Sequence, residues 1–127
     1  MPNVPLPDDL MNEHMNWHQY PGHPEMGGRS INPWPPGANS PTPGSGLEFL
    51  TFHQNFLAQF HAWYDNQPFA DPAAVAPWSQ VPDALKQVPS PPLDPSFVWS
   101  SDWASQEDRI ENNPLSFQSA DELGMFI

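Results

Sequence analysis

The stretch from Ser45 to Asp65 (SGLEFLTFHQNFLAQFHAWYD) constrains the fold most, because it alone joins an unbroken run of helix formers to enough apolar residues for a full-length packed helix. Ser45 followed by Glu48 reads as a capping box that starts the helix. Asn66-Gln67-Pro68 ends it, since proline cannot continue an α-helix. With successive residues turned by about 100°, Phe49, His53, Leu57, Phe60 and Tyr64 share one stripe. A histidine thus stands in the middle of an aromatic face, and His61 lies on its flank. An imidazole among aromatic rings needs a partner for each ring nitrogen.

Composition limits what can surround this helix. A chain of 127 residues has room for one domain with a modest core. Leu, Ile, Val and Phe make up about a fifth of it, close to the disordered class. Six Trp, two Tyr and eight Phe pull the other way, because each buries a large area. With 19 Pro and 7 Gly, the expected architecture is all-α and loop-rich.

The net charge of −12, with Arg29, Lys86 and Arg109 the only strong cations, argues against nucleic-acid binding and against anionic membrane surfaces. The absence of cysteine removes disulfides, thiolate metal sites and thiol nucleophiles together. No apolar run approaches membrane-spanning length and the N-terminus carries no signal core, so the expected location is cytoplasmic.

Residues 1–7 read as an extended, proline-rich lead-in. Asp8 or Asp9 caps a short helix from Leu10 to about Gln19, which Pro21-Gly22 ends. Residues 21–44 form a long Pro/Gly-rich connection that Ile31 and Trp34 anchor by packing. After the central helix, Asp71-Pro-Ala-Ala-Val suggests one helical turn and Ser79 to Gln87 a short helix. Residues 88–118 read as irregular, with Trp99 and Trp103 anchoring a loop across the core. Ser119 and Glu122 form a second capping box that opens a helix running to Ile127. That helix is too short to stand free, so it either docks tightly or leads into something longer.

The chemistry falls to the histidines. His14 and His18, four residues apart, lie one above the other on the first helix. Two such imidazoles and a third from a facing helix, His53, are a recurring way to hold a metal inside a helical bundle. Neutral imidazoles without thiolate suit copper or zinc. The plainer readings are a solvated surface pair and a core histidine satisfied by a backbone carbonyl.

The segment Phe49-Leu50-Thr51-Phe52-His53-Gln54-Asn55-Phe56-Leu57 resembles the copper A signature of the tyrosinase family of type 3 copper proteins, Phe-Leu-x-(Trp or Phe)-His-Arg-x-x-Leu. His53 falls on the position of a copper ligand in that signature. Gln54 replaces the usual Arg, His61 stands where an acid is usual, and the ligand expected shortly before the Phe-Leu pair has no counterpart. The pair His14 and His18 is similar to the His-x-x-x-His of the arthropod haemocyanins and fills that gap. The resemblance implies the first, copper A half of a tyrosinase-like bundle, with His14, His18 and His53 as copper ligands. Phe49, Phe52 and Phe60 then keep the site dry and Trp17 stands over it.

Its implied activity is oxidation of a phenolic substrate, phenol or catechol, by dioxygen. The family site uses six imidazoles around two coppers, and this sequence offers five histidines. A second copper half is therefore expected from a missing segment, a partner chain or a homodimer. The isolated chain is expected to hold one copper and to be inactive. The competing expectation, from a different class, is a non-catalytic acidic interaction or scaffold module.

Overall fold

The computed structural model describes residues 6–86 and 101–127. Among them the protein is helical, without strands, as the sequence predicts for an all-α chain. The helices are α1 (Asp8–Gln19), α2 (Ser45–Tyr64), α3 (Asp83–Lys86), α4 (Ser101–Asn112) and α5 (Ala120–Phe126). Single 3-10 turns occur at Pro24–Met26, Pro72–Val75 and Pro114–Ser116. Where the sequence is read as one domain, the chain divides into two compact units. One holds α1, α2, α5 and the 20–44 connection, and the other spans residues 71–116.

The first unit is built on α2. Its most extensive packing is against α5, where two glycines let the helices approach backbone to backbone. A Cβ on Gly46 would stand 2.0 Å from the Asp121 carbonyl oxygen, and one on Gly124 would stand 1.9 Å from the Gly46 carbonyl oxygen. Only glycine fits on either side of such a crossing. Phe117 and Phe126 meet edge to face beside it, at 5.1 Å between ring centres. Helix α1 lies on the other stretch of α2, with Leu10 and Trp17 buried and the Trp17 ring stacked on Phe52 at 4.4 Å.

The start of α2 differs from the capping box read in the sequence. Gly44 is the N-cap residue, with φ +87°, a conformation that glycine adopts without strain. Ser45 lies inside the first turn, and its hydroxyl is buried without a hydrogen-bond partner. The cap comes instead from α5. The Asp121 carboxylate accepts hydrogen bonds from the Gly44 N–H at 2.7 Å and the Leu47 N–H at 2.8 Å. Glu48 turns the other way and ties down the long connection, accepting from the Ser30 and Ile31 N–H groups and from Arg29 Nε. Arg29 is itself buried, donates to the Ser45 carbonyl, and lies over the face of Trp17 at 4.3 Å. The connection is thus tied down through Arg29 and Ile31, while Trp34, read from the sequence as a second anchor, is 58% exposed.

Helix α1 starts at Asp8, two residues before the predicted Leu10, with Pro7 as N-cap and no side-chain cap. Asp8 and Asp9 occupy its first turn, where their charge opposes the helix dipole. The second capping box is realised in part. Ser119 Oγ accepts from the Glu122 N–H at 3.0 Å, while the Glu122 carboxylate reaches the N–H of Gln118. The end of α2 falls at Tyr64, and the Asn66 and Gln67 side-chain amides donate to the carbonyls of Ala62 and Trp63.

In the second unit, Asp71 caps the Pro72–Val75 turn by accepting from the Ala73 N–H. Of the helix predicted over Ser79 to Gln87, Asp83–Lys86 is helical, and Gln87 lies outside the described residues. The prediction of irregular structure over 88–118 is corrected for its second part. Ser101–Asn112 is α4, and Trp103 rides on it, while Trp99 lies outside the described residues. Polar contacts tie helix α4 to the segments on either side of it in sequence. Glu107 pairs with Lys86 at 3.2 Å and accepts from the Val81 N–H, and Arg109 donates to Ser116 Oγ at 2.9 Å.

Candidate metal centre

The packing of α1 on α2 brings His14, His18 and His53 together. Their ligand atoms are the three Nε2 nitrogens, separated by 3.1 Å (His14 to His53), 3.1 Å (His18 to His14) and 3.2 Å (His18 to His53). The i, i+4 spacing sets the first pair on one face of α1, and the Trp17–Phe52 stack fixes the distance to α2.

Each ring is held from outside. His53 Nδ1 donates to the Phe49 carbonyl at 2.8 Å, one turn back along α2. That bond places the proton on Nδ1 and leaves the Nε2 lone pair facing its two neighbours, as for a histidine prepared to ligate. Phe49 lies against the His53 ring at 4.1 Å and Phe56 against His14 at 4.6 Å. Trp17 presents its edge to His18 and His53, at 4.9 Å and 5.3 Å. Phe52 touches both Trp17 and His53.

Burial lowers the basicity of His14, and positive charge on His53 lowers it further. His18 is lowered in the same way, by burial first, then by His14 and His53 and lastly by Arg29. Both rings therefore favour the neutral form that a metal ligand requires.

The donor set fits a metal ion. The point equidistant from the three nitrogens lies about 1.8 Å from each, close to the metal–nitrogen distance of about 2.0–2.1 Å for imidazole ligands. Three nitrogens converging at that separation cannot all satisfy one another, because each neutral ring has one donor and one acceptor. A cation at their common point satisfies all three. Among the described residues, this is the one group of three or more such side chains placed to share an ion. His14 and His53 are half-buried and His18 is exposed, so the cluster opens to solvent on one side.

The other two histidines lie elsewhere. His23 Nδ1 pairs with Glu25 at 2.9 Å on the surface of the connection, and His61 packs beside Phe60. Phe60 has its ring contacts with His61, Trp63 and Tyr64, so the shielding role expected for it near the cluster falls to Phe56. Helical spacing carried a signal for Phe56, three residues after His53. Arg29 and Glu48, which brace Trp17 from below, had no local signal, because they meet only once the connection folds back.

No family model matches the chain, and neither a curated protein nor a solved structure matches it. The fold and the cluster alone define the class: a small helical protein with three histidines that could hold a metal ion. No helix among the described residues is long and apolar enough to cross a membrane.

Proposed function

We propose that this protein binds one copper ion through His14, His18 and His53, as the first half of a tyrosinase-like type 3 copper site. The observation that carries the reading is the triangle of Nε2 atoms at 3.1–3.2 Å. Imidazole donors without thiolate or carboxylate suit copper, with zinc the alternative. The copper A-like run Phe49–Leu57, with His53 at its centre, favours copper. When bound, the metal supplies redox chemistry with dioxygen, toward oxidation of a phenol or catechol.

The chain's own part is to bind and to orient. His53 keeps its proton on Nδ1 through the Phe49 carbonyl, and burial holds His14 and His18 neutral. Phe49, Phe52 and Phe56 exclude water from the inner side. One chain offers one three-imidazole set, so full oxidase activity calls for a second set from another segment or chain. The isolated chain is expected to bind one equivalent of copper and to show no appreciable catechol oxidation.

Elemental analysis after copper loading and dialysis gives the stoichiometry, and electron paramagnetic resonance of the cupric form counts the nitrogen ligands. One copper with three nitrogen ligands, lost in His53→Ala, is the expected result. No copper retention, or retention unchanged in His53→Ala, would refute the reading. Turnover of catechol that scales linearly with a monomeric chain would refute the half-site part alone. The second unit favours a separate interaction role, because Trp78 and Leu115 are exposed there at 66% and 95% on an acidic chain.

A further inference from the structure

Helix α1 sends its apolar side chains in two directions. Leu10 and Trp17 are buried, but Met11 and Met15 are 50% and 55% exposed. Around the helix axis, His14, His18, Met11 and Met15 follow one another within an arc of about 100°, each beside a neighbour three or four residues away. All four line one solvent-open groove of about 370 Å³, which Leu6, Asn12 and Phe56 complete. An apolar wall needs only leucine, which loses less rotamer entropy than methionine when ordered. What methionine adds is a polarizable sulfur, and thioethers select cuprous copper where imidazoles accept copper and zinc alike.

We propose that Met11 and Met15 form a landing site for Cu(I), taking it from solvent and passing it to His14 and His18 along the same helix face. The inference rests on the metal-binding reading of the histidine cluster and adds the form in which the metal arrives. Transfer is a ligand exchange. Copper–sulfur bonds break as copper–nitrogen bonds form, and the ion stays in the +1 state. The pair also gives the cluster a preference for Cu(I) over Zn(II) during loading.

The test uses the full chain labelled with [methyl-13C]methionine, with Ag(I) as a redox-inert soft cation and Zn(II) as the borderline, imidazole-preferring control. Silver is expected to shift the methyl signals of Met11 and Met15, assigned with Met11→Leu and Met15→Leu, and to leave Met26 and Met125 in place. Zinc is expected to move the imidazole signals instead. Loading kinetics follow anaerobically, from a chromophoric Cu(I) chelator. The double variant Met11→Leu/Met15→Leu is expected to take up Cu(I) at least tenfold more slowly, with Zn(II) affinity within twofold of wild type. Equal loading rates, or methyl signals that silver leaves unmoved, would overturn the landing site while Zn(II) binding keeps the histidine cluster standing. Silver shifts in a protein whose histidines bind neither Cu(I) nor Zn(II) would overturn the hand-over and the proposed function together.

Discussion

Replacing Gly124 with alanine tests whether the glycine crossing, rather than the length of α5, is what holds the first unit together. The added Cβ would meet Gly46 O at 1.9 Å, Gly46 C at 2.4 Å and Gly46 Cα at 2.7 Å, all backbone atoms that no rotamer change can move. Ordinary van der Waals contact begins near 3.4 Å, so the helices must part by about 1.5 Å, a shift of the kind that overpacked cores make at a cost of about 1–3 kcal/mol. The same displacement stretches the two Asp121 bonds, now 2.7 and 2.8 Å, beyond useful length. Against this, alanine in a helix interior is favoured over glycine by about 1 kcal/mol.

A backbone clash belongs at the upper end of the range, so the net loss is about 2 kcal/mol, which for a unit of this size lowers Tm by roughly 10 °C. Thermal unfolding of metal-free protein, followed by circular dichroism, gives the shift. Gly46→Ala is expected to match it, since its Cβ meets Asp121 O at 2.0 Å and Met125 N at 2.4 Å. A variant of either kind that melts at or above the wild-type temperature would show that α5 does not seat on the glycines, and would refute the account of the crossing.

Three further outcomes are expected. His53→Ala lowers metal affinity by more than the roughly 10–100-fold of an outer-shell change, whereas His23→Ala, paired with Glu25 on the surface, leaves it within about twofold in calorimetric titration. Arg29→Met strips the cation from the face of Trp17 and removes the ion pair with Glu48, whose carboxylate keeps only the Ser30 and Ile31 N–H groups. A loss of about 3 kcal/mol is expected from urea midpoints, and Arg29→Lys recovers only part of it, because lysine lacks the planar fork.

The Asp121 carboxyl is held below its ordinary value of 3.8, by the Gly44 N–H first and the Leu47 N–H second. The unfolded chain therefore takes up the proton first as pH falls, and the stability that Asp121 contributes is present above 3.8 and lost below it. Asp121→Asn is expected to be less stable than wild type at pH 7, with the gap closing as both are titrated below that value.

Features carried by local spacing were legible in the sequence. Helix α2 was marked by its run of helix formers, and the meeting of His14, His18 and His53 by an i, i+4 pair and a histidine on a facing aromatic stripe. Features settled by distant partners were not. The Ser45–Glu48 pattern is a sound local signal, yet Asp121 takes the N–H groups it would have used and the connection takes Glu48. Helix α4 did carry a local signal, Trp103 and Ile110 seven residues apart on one face of an otherwise polar run, which the irregular reading of 88–118 leaves unused; its contacts with Lys86 and Ser116 carried none. Leu57, placed on the buried stripe by its spacing, is 52% exposed, because α1 and α5 cover other parts of α2 and leave that turn bare.

The cap that Asp121 places on α2 also sets an order of events during synthesis. The residue that closes the helix N-terminus lies 77 positions after Gly44, beyond the whole second unit. At translation rates of about 5–20 residues per second, α1 and α2 wait roughly 3–11 s between the completion of α2 at Tyr64 and the arrival of their cap. Through that interval the Gly44 and Leu47 amides and the glycine face of α2 are open to solvent, while all three histidines have already been made. A metal ion bound in those seconds would clamp α1 to α2 before α5 exists, so supply of the ion can decide how much of the nascent chain reaches its native pairing.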